Sequence, residues 1–226
     1  MILKEPTIFI NFKTYPQATA QNALKLAKII DDVSKEAGIT IFLSPQFMDI
    51  SPIISKYNIP IFVQHIDYVK PGKNTGHVTP ESVKQAGCVG ALINHSEKPL
   101  SDNEITTTIE RCKETELISC ICASNAEETK TIAAKHPDMM IVEIPELIGT
   151  GKAISTVRPE VISDAIKVIR DIDDGIFIIS GSGISTKEDV TKAIELGMQG
   201  VGASRAFVTS EDPKQVLTEM SKALLK

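Results

Sequence analysis

The sequence predicts an α/β protein, a closed (β/α)8 barrel. Short apolar, β-branched runs alternate with helix-period segments from one end of the chain to the other. The runs are apolar throughout rather than alternating, as in parallel strands covered by helices. Eight such strand-then-helix units in 226 residues match a barrel of about 200–250 residues. An open doubly wound sheet of eight strands is the competing architecture. No long linker or composition shift breaks the rhythm, so residues 1–226 read as a single domain. The repeat lies in structure only, with no period in residue identity.

The first run is Thr7–Phe12. A helix follows over Gln21–Ala37, with Leu24, Ala27, Ile30 and Val33 on one face and Gly38 as its stop. The second run, Ile39–Leu43, leads to a segment at Gln46–Tyr57. The third, Pro60–Gln64, leads to a Gly-bearing loop and a short helix at Pro80–Ala86. The fourth, Val89–Ile93, leads to a helix near Asp102–Thr115. The second half repeats the rhythm. Leu117–Cys122 precedes a helix near Ala126–Lys135. Met139–Glu143 precedes a long loop and a helix near Pro159–Asp171. Gly175–Ser180 precedes a helix near Lys187–Leu196, and Gln199–Ala203 precedes a last helix near Pro213–Leu224.

Composition narrows the function classes. Hydrophobic residues make up 42% and charged residues 23%, enough for a sizeable core and too balanced for a disordered chain. Aromatics are 4% and Trp is absent, so the core is aliphatic. Lys plus Arg number 24 against 29 Asp plus Glu, a formal charge of −5, which argues against a general nucleic-acid binder. Cys88, Cys112, Cys120 and Cys122 lack partners at zinc-finger spacing and read as buried free thiols of a reducing cytosol. The first residues carry no cationic stretch followed by a long apolar run. No apolar stretch nears the roughly 18–20 residues of a membrane helix. A cytoplasmic location without membrane contact is the expectation.

In a barrel of this kind chemistry sits at the carboxyl ends of the strands and in the loops after them. There the sequence places Asn11 and Lys13 after run one, Asn94-His-Ser-Glu97 after run four, and Glu143 at the end of run six. Ser180-Gly-Ser-Gly183 follows run seven, and Ala203-Ser204 ends run eight. Singly, each is an ordinary surface feature. Together they converge one cation, one imidazole and one carboxylate on one rim beside two loops able to cradle a phosphate. A carboxylate can abstract a proton α to a carbonyl, an imidazole can polarise that carbonyl, and an ammonium can stabilise the enediolate. The segment Pro145–Lys152, bearing Gly149 and Gly151, reads as a lid. Two lookalikes fail. Glu146–Ala153 lacks the first Gly and the final Ser/Thr of a nucleotide-hydrolase phosphate loop. Gly181–Thr186 lacks the third Gly of a dinucleotide fingerprint. His65, His77 and His136 are scattered and read as structural. No metal and no cofactor are expected.

These motifs resemble the triosephosphate isomerase family in its short archaeal form. The resemblance rests on Asn11-Phe-Lys13, Asn94-His-Ser-Glu97 and Glu143-Ile-Pro-Glu-Leu-Ile-Gly-Thr-Gly151. Gly76-His-Val-Thr-Pro-Glu81 and Gly200-Val-Gly-Ala-Ser204 fit the same pattern. It runs from about residue 7 to residue 220 and implies a TIM barrel. It further implies that Glu143 moves the proton between C1 and C2 of the triose and that His95 acts as a neutral electrophile. Lys13 and Asn11 would hold substrate, and Ile148, Gly149, Gly183, Ala203 and Ser204 would hold its phosphate through backbone groups. Glu97 would pair with Lys13. The resemblance also implies a homodimer or homotetramer, with the loop Asp67–Thr79 reaching into a partner subunit. Three departures stand out. Ile144 occupies the place where the family usually has Pro, Lys98-Pro99 replaces a more usual basic pair, and the outer helices are short.

Other phosphate-binding barrels remain as alternatives. A sugar-phosphate epimerase wants acidic and histidine metal ligands that are missing. A Schiff-base aldolase needs a Lys inside a late strand, and runs five to eight contain none. A binding protein that had lost catalysis would not be expected to keep Lys13, His95 and Glu143 together.

Overall fold

The computed structural model describes Leu3 and residues 6–225. Each expected run contributes a strand. These are β1 (Thr7–Asn11), β2 (Thr40–Ser44), β3 (Phe62–Val63), β4 (Gly90–Ile93), β5 (Ile118–Ala123), β6 (Met139–Val142), β7 (Phe177–Ser180) and β8 (Gly200–Ala203). All pair in parallel, in the order β2-β1-β8-β7-β6-β5-β4-β3. A bridge between Leu43 and Ile61 joins the two ends of that order and closes the ring. The open-sheet alternative is thereby excluded. The β3 strand keeps only two residues of its run. Pro60 lacks an N–H and joins the ladder only as an acceptor from Leu43 N–H.

The helices are α1 (Gln21–Ala37), α2 (Ile50–Ile54), α3 (Pro80–Gln85), α4 (Asp102–Glu114), α5 (Ala126–Ala133), α6 (Ile154–Val157), α7 (Pro159–Ile172), α8 (Lys187–Glu195), α9 (Arg205–Val208) and α10 (Pro213–Leu224). Their ends follow local chemistry. Gly38 takes a left-handed conformation (φ 69°) and its N–H bonds Ser34 C=O, closing α1. Ser101 and Glu104 form a capping box on α4, as do Thr186 and Asp189 on α8. Sequence periodicity did not foresee α6 and α9, since a single turn is too short to show a period.

Two apolar layers result. Inside the ring, Phe9, Phe42 and Phe62 meet with centroids 5.2–6.3 Å apart, beside Leu92, Cys120, Met139, Ile141, Phe177 and Ile179. Gly90 makes room for this cluster, because a Cβ there would collide with the Phe62 ring. Outside the ring, residues such as Ile8, Ile10, Ile41 and Ile93 pack against the helices. The inward positions of each strand thus plug the barrel, and the next inward positions beyond the strand ends face the mouth.

Candidate active site

Three strand ends carry the candidate acid–base groups to the mouth. On β1 the inward sequence Phe9, Asn11 runs on to Lys13, whose backbone is left-handed (φ 45°). That conformation costs about 1–3 kcal/mol for a non-Gly residue. Two bonds hold it. Lys13 N–H donates to Asn11 Oδ1 at 2.8 Å, and Gln64 Nε2 donates to Lys13 C=O at 2.9 Å. Lys13 Nζ then reaches Glu97 Oε1 at 2.6 Å.

At the end of β4, Asn94 is also left-handed (φ 58°). Its amide donates to Cys122 C=O, and its Oδ1 accepts from Leu100 N–H. The turn breaks strand alternation, and the following residue, His95, lines the mouth. Glu97 N–H donates to His95 Nδ1 at 3.1 Å. Nδ1 is therefore the acceptor of the neutral ring, and the proton resides on Nε2. Burial, and after it the Lys13 ammonium, hold the His95 pKa below its ordinary value.

Glu143 follows β6, two residues beyond the inward Ile141 and tied by its N–H to Ala123 C=O at 2.9 Å. It is 7% exposed. Burial raises its pKa to about 7, opposed by the Lys13 charge. Its Oε1 stands 4.0 Å from His95 Nε2, and its Oε2 is buried with no hydrogen-bond partner among the described residues. The site thus holds a carboxyl group that changes charge near neutrality beside an imidazole kept neutral, an arrangement suited to proton transfer.

Opposite these groups lie the loops after β7 and β8 and the segment after Glu143. Asn11, Lys13, His95, Glu143, Ile148, Gly149, Gly183, Ala203 and Ser204 all line one cavity of about 690 Å³. Gly183 is left-handed (φ 76°), and a Cβ there would overlap Lys152 C=O, so the loops touch backbone to backbone. Gly181 touches the carboxylate itself. A Cβ at that position would come within 2.6 Å of Glu143 Cγ. Ser204 Oγ is another buried oxygen of this cavity without a hydrogen-bond partner among the described residues.

Gln64 was not singled out from the sequence, and Gly181 and Ser182 entered only as members of the loop after run seven. The Gln64 and Ser182 contacts span 51 and 38 residues of chain and leave no local pattern. The Gly-Ser-Gly loop itself was visible, but not which neighbour its small residues admit. His65 lies 3.3 Å from Asp67 and His136 2.7 Å from Asp173; neither these nor His77 lines the cavity. All four cysteines are free and buried, and burial pushes the Cys88 and Cys112 thiols up to about 11 and 12. Among the described residues, no group of three or more His, Cys, Asp or Glu is placed to hold a metal ion.

A parallel barrel whose mouth joins a half-titrated carboxyl group, a neutral imidazole and an ammonium has the makings of an isomerase that relocates a proton on a small carbonyl substrate. Comparison with known proteins makes this specific. The family model described as triosephosphate isomerase matches residues 6–223. The triosephosphate isomerase of Methanocaldococcus jannaschii is 40% identical over 215 residues, 95% of this chain and 98% of its own. That of Methanothermus fervidus is 40% identical over 96% of this chain and 98% of its own. That of Methanosarcina acetivorans is 42% identical over 95% and 97%. The chain belongs to the triosephosphate isomerase family.

Proposed function

We propose that Glu143, His95 and Lys13 carry out the interconversion of dihydroxyacetone phosphate and D-glyceraldehyde 3-phosphate, the reaction of the family to which the chain belongs. The Glu143 carboxylate takes a proton from C1 of the ketone. The C1–H electron pair becomes the C1–C2 double bond, and the C2 carbonyl oxygen gains the charge. His95 Nε2–H donates to that oxygen and shuttles protons between O2 and O1. Lys13 stabilises the enediolate. Glu143 returns a proton to C2, giving the aldehyde. The observation that carries this reading is the pairing of a carboxyl group whose pKa stands at about 7 with an imidazole 4.0 Å away.

Asn11 orients the Lys13 backbone and takes part in holding substrate. Backbone groups of Ile148, Gly149, Gly183, Ala203 and Ser204 hold the phosphate; their common lining of one cavity supports this. Residues 1–226 act as one domain. The chain self-associates as a dimer or tetramer. Exposed apolar side chains after β2 and β3 support this: Met48 is 87%, Tyr68 43% and Phe47 39% exposed. Four free buried thiols support a cytoplasmic location.

A coupled assay started with glyceraldehyde 3-phosphate tests the function. Formation of dihydroxyacetone phosphate by the wild-type chain, with no added metal, is the expected result. Binding of substrate without turnover would leave only a binding protein.

A further inference from the structure

The segment from Pro145 to Ala153 leaves the barrel directly after Glu143 and returns at α6. Its two ends meet at one residue. Pro145 confines the residue before it to extended backbone, and Ile144 is indeed extended (φ −119°, ψ 109°). An extended residue turns its N–H and C=O to the same side, as in a hydrogen-bonded strand pair. No strand is available to receive them, since the β6–β7 ladder ends at Val142 and Ser180. A side chain takes the strand's place. Ser182 Oγ accepts from Ile144 N–H at 2.9 Å and donates to Ile144 C=O at 3.1 Å. The C=O of the same serine accepts from Ile154 N–H at 3.3 Å, at the far end of the segment.

Ser182 achieves this in a left-handed conformation (φ 57°), which a serine adopts at a cost and a glycine does not. It is 7% exposed. Its surroundings are fixed from behind. Asp189 Oδ2 accepts from Ser185 N–H and Thr186 N–H. Thr156 and Ser155, on α6, bond Asp189 Oδ1 and its C=O. One hydroxyl and one carbonyl therefore pin both hinges of the segment to a braced loop.

We infer that Ser182 is a positioning residue for the isomerisation, its side chain clamping the peptide after Glu143 and thereby fixing both the carboxylate and the hinge of the lid. The inference rests on the function proposed above. A free Ile144 peptide lets the carboxylate wander and the lid close poorly, so an enediolate formed in the site expels phosphate more often instead of being reprotonated at C2. In that side reaction the C–O bond to phosphate breaks, its electron pair leaves with the phosphate, and the remaining enol becomes methylglyoxal.

Ser182→Gly tests the clamp without harming the backbone, because glycine tolerates the left-handed conformation. The expected result is a fall in kcat of about tenfold with KM changed less than about twofold, a severalfold larger share of methylglyoxal and free phosphate, and a fall in Tm of no more than a few degrees. Ser182→Ala should show the same kinetic pattern. Ile144→Pro removes the N–H that the hydroxyl receives. In that background the effect of Ser182→Gly should shrink to below about threefold, the non-additivity of two groups in direct contact. Wild-type kcat and partitioning in Ser182→Gly would overturn the inference, as would an undiminished effect in the Ile144→Pro background. A wild-type chain that does not isomerise would instead overturn the function on which it rests.

Discussion

Replacing Glu143 by Gln should cut turnover sharply and stabilise the fold at alkaline pH. The buried carboxyl group has its pKa raised from the ordinary 4.5 to about 7. A raised acid pKa means that the folded chain holds the proton more tightly than the unfolded one. Folding therefore loses stability as pH rises from about 4.5, and the loss is complete above about 7. The gap corresponds to about 3 kcal/mol at pH 8 and to about 1 kcal/mol at pH 5. A glutamine side chain would occupy the same space without the charge, so the variant should gain about 2 kcal/mol more at pH 8 than at pH 5. Any fixed cost of burying the amide cancels in that difference. Urea titrations of both chains at both pH values measure it, and thermal melts should differ in the same direction by about 2–4 °C per kcal/mol. The same substitution removes a general base worth roughly 10²–10⁴-fold in kcat. Equal stability differences at the two pH values would refute the desolvated carboxylate, and near-normal turnover would refute its role as base.

Lys13→Met should raise KM and lower kcat together, because the ammonium meets the substrate in both ground and transition states; a change in stability alone would make Lys13 structural. His95 should titrate below the ordinary value of about 6.5 when followed by NMR, since burial and Lys13 both oppose its protonation; an ordinary titration curve would contradict the neutral electrophile. Deleting Ile148–Gly151 should leave slow isomerisation while shifting product toward methylglyoxal and free phosphate, because the lid no longer excludes water; unchanged rate and partitioning would make the segment an ordinary surface loop. Gly181→Ala places a Cβ within 2.6 Å of Glu143 Cγ and should lower kcat at least tenfold with little effect on substrate binding; unaltered kcat would mean that the carboxylate has room to move aside.

The barrel was legible because its signals are local. A uniformly apolar run such as Met139–Val142 announces a strand covered on both sides, and Gly38 after the periodic Gln21–Ala37 announces a helix stop. Chemistry at the mouth was legible for the same reason. Lys13, His95 and Glu143 each sit within a few residues of a strand end, and topology alone then gathers them. What makes the groups useful was not legible. The proton position on His95 depends on the Glu97 N–H, visible only once the turn at Asn94 is built. The strained Lys13 backbone depends on Gln64, 51 residues away. The one-turn helices α6 and α9 carry no period, and the two-residue β3 reflects a missing N–H at Pro60 rather than a weak apolar run.

In the proposed mechanism one enzyme carboxylate, Glu143, carries the proton between C1 and C2. Turnover of dihydroxyacetone phosphate in deuterium oxide tests it most directly, with NMR reading the isotope at C2 of the glyceraldehyde 3-phosphate formed. A proton held on Glu143 passes either directly to C2 or, in part, to water that reaches the site before the return step. Deuterium at C2 in part of the product is the expected result, together with product formed roughly 10²–10⁴-fold more slowly by the Glu143→Gln chain. Deuterium-labelled product formed by the Glu143→Gln chain at close to the wild-type rate would hand the proton to a different base and contradict the role of Glu143.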